Sequence, residues 1–221
     1  MPPDLMSGDL ILAFDTAAAH CAAAVLSGTS VLAERLEPMQ KGQAERLFPL
    51  LEAVLADARA TWRDLALLGV GIGPGNFTGV RISVASARGL ALSLGIPAVG
   101  VSTLQAMVHG VGGVAVASLD ARRDALYVQV FDGLGQAPVL CDLAHLPPVP
   151  TQAEPWCIGY RADKIAEICG GKVGAAPFGL AVAMARIAGS RRHSPQLRPA
   201  PLYLRSADAA PSSDPPPVML P

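Results

Sequence analysis

With 51% hydrophobic and 16% charged residues among 221, the chain carries enough apolar material to bury roughly 70% of its unfolded surface, which excludes a disordered protein. Its 17 basic and 18 acidic residues leave a net charge of −1. The basic footprint of a protein that grips nucleic acid unaided is missing, so any role near RNA is expected to pass through a partner.

Leu10 to Phe14 reads as a short buried strand, with Asp15-Thr16 at the turn that follows. Residues 21–28 (CAAAVLSG) and 31–37 (VLAERLE) read as two more strands, joined by a hairpin at Gly28-Thr29. Residues 43–58 change to helical period: Leu47, Leu50, Leu51, Val54, Leu55 and Ala58 form one apolar stripe at i, i+3, i+4, i+7, i+8 and i+11. Pro49 removes the bond to the carbonyl of Glu45, so a kink or a late start is expected there. Leu65 to Gly73 suits a buried strand, 78–94 a helix, 97–101 a strand and 103–109 a short helix. Strands follow at 114–119, 125–132 and 137–142, then a proline-rich loop, a short strand at Trp156–Gly159 and a helix at 160–169. Residues 177–188 form a last helix with proline at its start, where proline is tolerated. Residues 206–221 are rich in Pro, Ser and Asp and are expected to be disordered.

One spacing recurs. A strand ends at Asp15 and its hairpin glycine, Gly28, stands thirteen residues on; a later strand ends at Asp120 and Gly133 again stands thirteen on. This implies two lobes on one strand–Asp–turn–strand–hairpin–strand plan, in an α/β fold with mixed sheets.

No catalytic constellation emerges from the residues. Cys21, Cys141, Cys157 and Cys169 lie far apart with no CxxC, which gives neither a zinc pattern nor a disulfide framework and fits a reduced cytoplasm. His20, His109, His145 and His193 form no HxxxH or HExxH pair, so no metal site is expected. The opening MPPDLMSGD lacks a basic segment and no apolar run reaches 18 residues, so neither a signal peptide nor a membrane helix is expected. The stretch Gly71-Ile72-Gly73-Pro74-Gly75-Asn76-Phe77-Thr78-Gly79-Val80-Arg81 lies between a strand and a helix, where backbone N–H groups can cradle an anion. Asn76 stands where the dinucleotide fingerprint needs its third glycine, and no lysine occurs between Lys41 and Lys164 to complete a Walker loop. A tight turn with close strand–helix packing is the plainer reading. Asp15 is the one candidate for holding a metal–nucleotide complex, yet neither Thr16-Ala17-Ala18-Ala19 nor Ala121-Arg122-Arg123 offers a glycine to approach a phosphate. Gly79, Ser83 and Ala87 repeat at i, i+4 and i+8, a stripe that lets another backbone come close, either the protein's own sheet or another subunit. Arg81 and Arg88, seven apart, share one helical face and either frame such a patch or are simply solvated.

The segments Ile11-Leu12-Ala13-Phe14-Asp15-Thr16-Ala17, Gly73-Pro74-Gly75-Asn76-Phe77-Thr78-Gly79-Val80-Arg81, Gly100-Val101-Ser102-Thr103-Leu104, Asp120-Ala121-Arg122 and Pro201-Leu202-Tyr203-Leu204-Arg205 closely resemble the TsaB (YeaZ) family in order and content. That resemblance spans about residues 10–205, and GPGNFTGVR is its most specific part. It implies a two-lobed actin-like ATPase fold with duplicated mixed-sheet subdomains and a degenerate nucleotide site. The lobes would be 9–109, carrying the partner-binding helices, and 110–205, followed by the tail 206–221.

The resemblance further implies a non-catalytic scaffold without a cofactor, which binds the paralogous transferase TsaD in threonylcarbamoylation of tRNA adenosine 37. The ATPase TsaE would join, tRNA would be met only through the complex, and a homodimer would use the same helical surface, all in the cytoplasm and away from membranes. The implied partner-binding residues are Gln43, Leu47, Leu50, Leu51 and Val54 on the first helix, with Phe77, Thr78, Gly79, Val80, Arg81, Ser83, Val84 and Ala87 on the second. Many relatives have histidine at position 43 and serine at position 76; this chain has Gln43 and Asn76. The alternatives are an ATP-dependent phosphotransferase of the actin-like fold and a peptidase.

Overall fold

The computed structural model describes residues 10–150, 154–194 and 197–205. The first sheet comprises β1 (Leu10–Asp15), β2 (His20–Ser27), β3 (Ser30–Pro38), β4 (Leu65–Gly71) and β5 (Ala98–Val101). The second comprises β6 (Ala115–Asp120), β7 (Leu126–Phe131), β8 (Val139–Cys141), β9 (Trp156–Gly159) and β10 (Lys172–Val173). Their spatial orders are β3-β2-β1-β4-β5 and β10-β9-β6-β7-β8. Numbered from its own first strand, the second sheet has the same order as the first. In each, the first three strands form an antiparallel meander and the last two join in parallel. Gly28 and Gly133 occupy equivalent hairpins with φ of 57° and 83°. The thirteen-residue spacing thus reflects a structural duplication.

Period-two alternation in β1 assigns the two faces of the first sheet. Leu10, Leu12 and Phe14 point to one side, where α1 (Gln43–Asp57) and α2 (Phe77–Leu94) cover them. Ile11 and Ala13 point to the other, under α5 (Leu180–Ser190). Ala181, Ala183, Ala185 and Ala188 give α5 a small-residue surface, so this helix sits close to the sheet. The segment 178–190, expected in the 110–205 lobe, therefore returns to pack on the first sheet. The second sheet buries Val116, Leu126, Val128, Val130 and Cys157 under α4 (Ala162–Cys169). Its opposite face meets Leu104 of α3 (Thr103–Met107) and Leu204, so α3 and the C-terminal segment join the two halves.

Several boundaries differ from the sequence reading. Helix α1 starts at Gln43 and runs through Pro49, which lies on its exposed side, so the late start is not taken. Strand β4 stops at Gly71: the Ile72 amide still donates to the Val101 carbonyl, but Gly73 takes φ of 88° and turns the chain. Helix α5 begins at Leu180, leaving Pro177 outside it. The two-residue β10 and a 3-10 turn at Trp62–Asp64 were not anticipated; they are too short for any period to register. The expectation for 206–221 lies outside the described residues.

Candidate functional site: the glycine-rich loop and the paired helices

Strand β1 delivers Asp15 to the carboxyl end of the first sheet, where it is fully buried. Asp15 Oδ2 accepts a hydrogen bond from the Ala17 amide at 3.0 Å and another from His20 Nε2 at 2.7 Å. Among the described residues its Oδ1 has no hydrogen-bond partner. His20 stands apart from the other three histidines in the sequence. Its pairing with Asp15 depends on the β1–β2 register, which folds the chain back across the turn.

The glycine-rich loop closes over this turn. The Asn76 amide donates to the Ala17 carbonyl at 2.6 Å, and Thr16 Oγ1 donates to the Gly79 carbonyl at 2.7 Å. A Cβ on Gly75 would stand 2.3 Å from the Ala17 oxygen, and one on Gly79 would stand 2.0 Å from the Thr16 oxygen. Those glycines are required by backbone-to-backbone contact. Asn76 is the N-cap of α2, its Oδ1 accepting from the Thr78 and Gly79 amides at 3.0 and 3.1 Å. Two amides that could have met an anion are thus already engaged, and Asn76 serves well in place of serine. In the equivalent turn of the second half, Asp120 is exposed and accepts from the Arg122 amide at 2.7 Å. Arg122, Arg123 and Asp124 all take left-handed φ, of 61°, 52° and 59°. Among the described residues no three His, Cys, Asp or Glu side chains gather as metal ligands.

Most of the expected partner-binding residues turn inward, and the small-residue stripe faces the protein's own sheet, one of the two readings its spacing allows. Ser83 is fully buried and its Oγ donates to the Gly71 carbonyl at 2.9 Å, bonding α2 to the end of β4. Gly79, Val80, Val84 and Ala87 are buried on the same side. Leu47, Leu50, Leu51 and Val54 are fully buried against the protein's own sheet. A side chain with no exposed surface cannot meet a partner. Gln43 is half-buried, its Nε2 donating to the carbonyls of Met39 and Ala18 at 3.3 and 3.4 Å. Phe77, Thr78 and Arg81 remain exposed.

The outward faces have a different composition. Helix α1 exposes Ala44, Phe48, Glu52 and Ala56, and α2 exposes Phe77, Arg81, Ala85, Arg88, Gly89 and Leu92. Phe48 is 43% and Leu92 86% exposed, and a Cβ on Gly89 would meet open space. The C-terminal segment borders this face. Leu202 donates its amide to the Ile72 carbonyl, and Arg88 Nε donates to the Pro199 carbonyl at 2.7 Å. The Arg81 guanidinium lies 3.7 Å from the Phe77 ring centre, Phe77 stacks on Tyr203 at 4.7 Å, and Arg81 Nε donates to the Tyr203 hydroxyl. Both arginines are therefore held by residues 199–203 and are not simply solvated.

The chain is similar to several known proteins. A family model described as "TsaD: tRNA N6-adenosine threonylcarbamoyltransferase" matches residues 32–144. The TsaB protein of Buchnera aphidicola is 40% identical over 101 residues, 46% of this chain and 48% of that protein, so the match spans about half its length. An uncharacterized protein of Mycobacterium tuberculosis is 35% identical over 205 residues, covering 91% of this chain and 94% of that one. In structure, YeaZ of Pseudomonas aeruginosa superposes with a TM-score of 0.72 at 23% identity, covering 89% of this chain and 100% of the other. With its duplicated sheets of one strand order in a two-lobed actin-like fold, the chain belongs to the TsaB family.

Proposed function

We propose that this protein is a non-catalytic scaffold in the synthesis of threonylcarbamoyladenosine on tRNA, where it binds and activates the paralogous transferase TsaD. The observation that carries this reading is the pair of helices α1 and α2 with exposed small and apolar residues, Ala44, Phe48, Ala85, Gly89 and Leu92, facing away from the core. Where these small and apolar residues lie between the charged Glu52, Arg81 and Arg88, a second helix pair can approach closely, the packing a paralogue with the same elements would offer. A homodimer would use the same face, and TsaE would join the assembly with TsaD. The near-neutral charge leaves tRNA contact to the partners, with adenosine 37 of tRNAs reading codons that begin with A as the modified base. The setting is the cytoplasm; no helix among the described residues is long and apolar enough to cross a membrane.

The proposal is tested by co-purification of this chain with TsaD of the same organism. Co-elution that is abolished by Gly89→Arg supports the helical surface. Independent elution of the two proteins at micromolar concentration refutes it.

One observation favours a second reading, an ATP-dependent phosphotransferase: the buried Oδ1 of Asp15 at the carboxyl end of β1, unpartnered among the described residues. Calorimetric titration of the isolated chain with Mg-ATP decides it. Micromolar binding supports the phosphotransferase, and no heat removes it.

A further inference from the structure

Cys157 and Cys169 stand twelve residues apart and carry no local motif. The fold nevertheless brings their sulfurs to 3.6 Å. Cys157 projects from β9 into the layer beneath α4 and is fully buried, whereas Cys169 is the last residue of α4 and is half-buried. The approach is enforced from several sides. Gly170 ends the helix with φ of 67°, the Gly171 amide donates to the Ala166 carbonyl, and β10 then pairs in parallel with β9, Val173 beside Cys157. The pair thus sits where the chain turns from α4 into the two-residue edge strand β10. Cys21 and Cys141 lie on β2 and β8, apart from this pair.

We propose that Cys157 and Cys169 form an oxidisable pair that closes to an intrachain disulfide when the protein meets a low-molecular-weight disulfide such as glutathione disulfide. The more accessible Cys169 reacts first. Its thiolate attacks one sulfur of the oxidant, forms a mixed disulfide and expels one glutathione thiolate, which takes up the proton Cys169 gave up. Cys157 then loses its proton to solvent and attacks the Cys169 sulfur, forming the internal bond and expelling a second glutathione. Two protein thiols are oxidised and one glutathione disulfide is reduced to two thiols. Burial pushes the Cys157 thiol up to about 12, which suits it to the second, intramolecular step only. A disulfide needs about 2 Å between sulfurs, so the two sulfurs must still approach before the bond can close.

The bond would tie the end of α4 to β9 and enclose the whole helix in a covalent loop. It lies in the second sheet, away from α1 and α2, so it would stiffen that half without altering the helical face.

The test uses the full-length chain, incubated folded with glutathione disulfide, quenched with iodoacetamide, digested without reductant and mapped by mass spectrometry. The expected product joins the Cys157 and Cys169 peptides, and the melting temperature rises by roughly 5–10 °C and returns on reduction. Cys157→Ser should trap glutathione on Cys169. Should that variant fail to fold, Cys169→Ser serves instead, and its Cys157 should remain a free thiol throughout. Alkylation of both cysteines in the treated wild type, or a lasting glutathione adduct on Cys169 while Cys157 is present, would overturn the proposal. Glutathione on Cys157 in the Cys169→Ser protein would also overturn it.

Discussion

Gly79→Ala and Gly89→Ala add the same methyl group to the same helix, and the packing of α2 predicts opposite results. At Gly89 the added carbon meets nothing within 4 Å, so the substitution gains helix propensity at no steric cost, about 0.5–1 kcal/mol. At Gly79 the added carbon would lie 2.0 Å from the Thr16 carbonyl oxygen, where an unstrained contact is about 3.3 Å. About 1.3 Å of separation must therefore be found. It cannot come from a side-chain rotation, because the obstacle is backbone. Nor can the two backbones drift apart freely, since Thr16 Oγ1 holds the Gly79 carbonyl at 2.7 Å and the Asn76 amide holds Ala17 at 2.6 Å. Overpacking of this kind costs about 1–3 kcal/mol, and losing one of those buried hydrogen bonds adds about 1 more. After the small propensity gain the net loss is about 1–3.5 kcal/mol, which in a chain of this size lowers the melting temperature by about 2–14 °C. Gly89→Ala should raise it by about 1–4 °C. Differential scanning calorimetry on both proteins provides the measurement. A Gly79→Ala protein as stable as wild type would show that the glycine-rich loop does not clamp the β1–β2 turn.

Charge insertion separates the two faces of α2. Ser83→Arg buries an unpaired guanidinium behind the helix, so circular dichroism and melting should report a loss of several kcal/mol or no fold at all. Gly89→Arg should melt within about 1 kcal/mol of wild type yet fail to retain TsaD on a column. A chain ending at Ser194 loses the Leu202–Ile72 and Arg88–Pro199 hydrogen bonds and the Tyr203 stack, so it should melt lower by about 3 kcal/mol or more. A chain ending at Arg205 keeps them and should be nearly silent in the same melt. The Glu37 carboxylate accepts both hydrogen bonds of the Arg46 guanidinium, and that contact holds its pKa below the ordinary glutamate value. A depressed acid stabilises the fold above its unfolded pKa and loses that contribution as pH falls through its folded value. Both side chains are about a third exposed, so Glu37→Gln should cost less than about 1 kcal/mol at neutral pH. Denaturant melts repeated in acid should show that difference disappear.

The duplicated plan was legible because each copy carries its own punctuation, an aspartate closing the first strand and a glycine in the first hairpin. Core strands alternate between two buried faces, and the stripe from Leu47 to Ala58 has a clean helical period, so these elements were legible too. The direction of the Gly79-Ser83-Ala87 stripe was not. Small residues are needed wherever two backbones approach, and the requirement is the same whether the second backbone belongs to β4 or to another subunit. Ser83 is decided by a hydrogen bond to Gly71, and nothing in the helix's own period reveals that acceptor. The outward face could have been found by taking the complement of the buried stripe, which yields Ala85, Gly89 and Leu92. Three pairings escaped the sequence for one reason. His20 with Asp15, Cys157 with Cys169, and Tyr203 with Phe77 and Arg81 each depend on a register or a long return of the chain. The left-handed Arg122, Arg123 and Asp124 carried no glycine to announce them.

The most direct test of the scaffold account is tRNA modification in vitro with TsaD and the remaining components of the same organism, with and without this chain. The account predicts that threonylcarbamoyladenosine forms with the wild-type chain, falls to background without it or with Gly89→Arg, and never forms when TsaD is left out. Modification by TsaD at the same rate in the absence of this chain would contradict it.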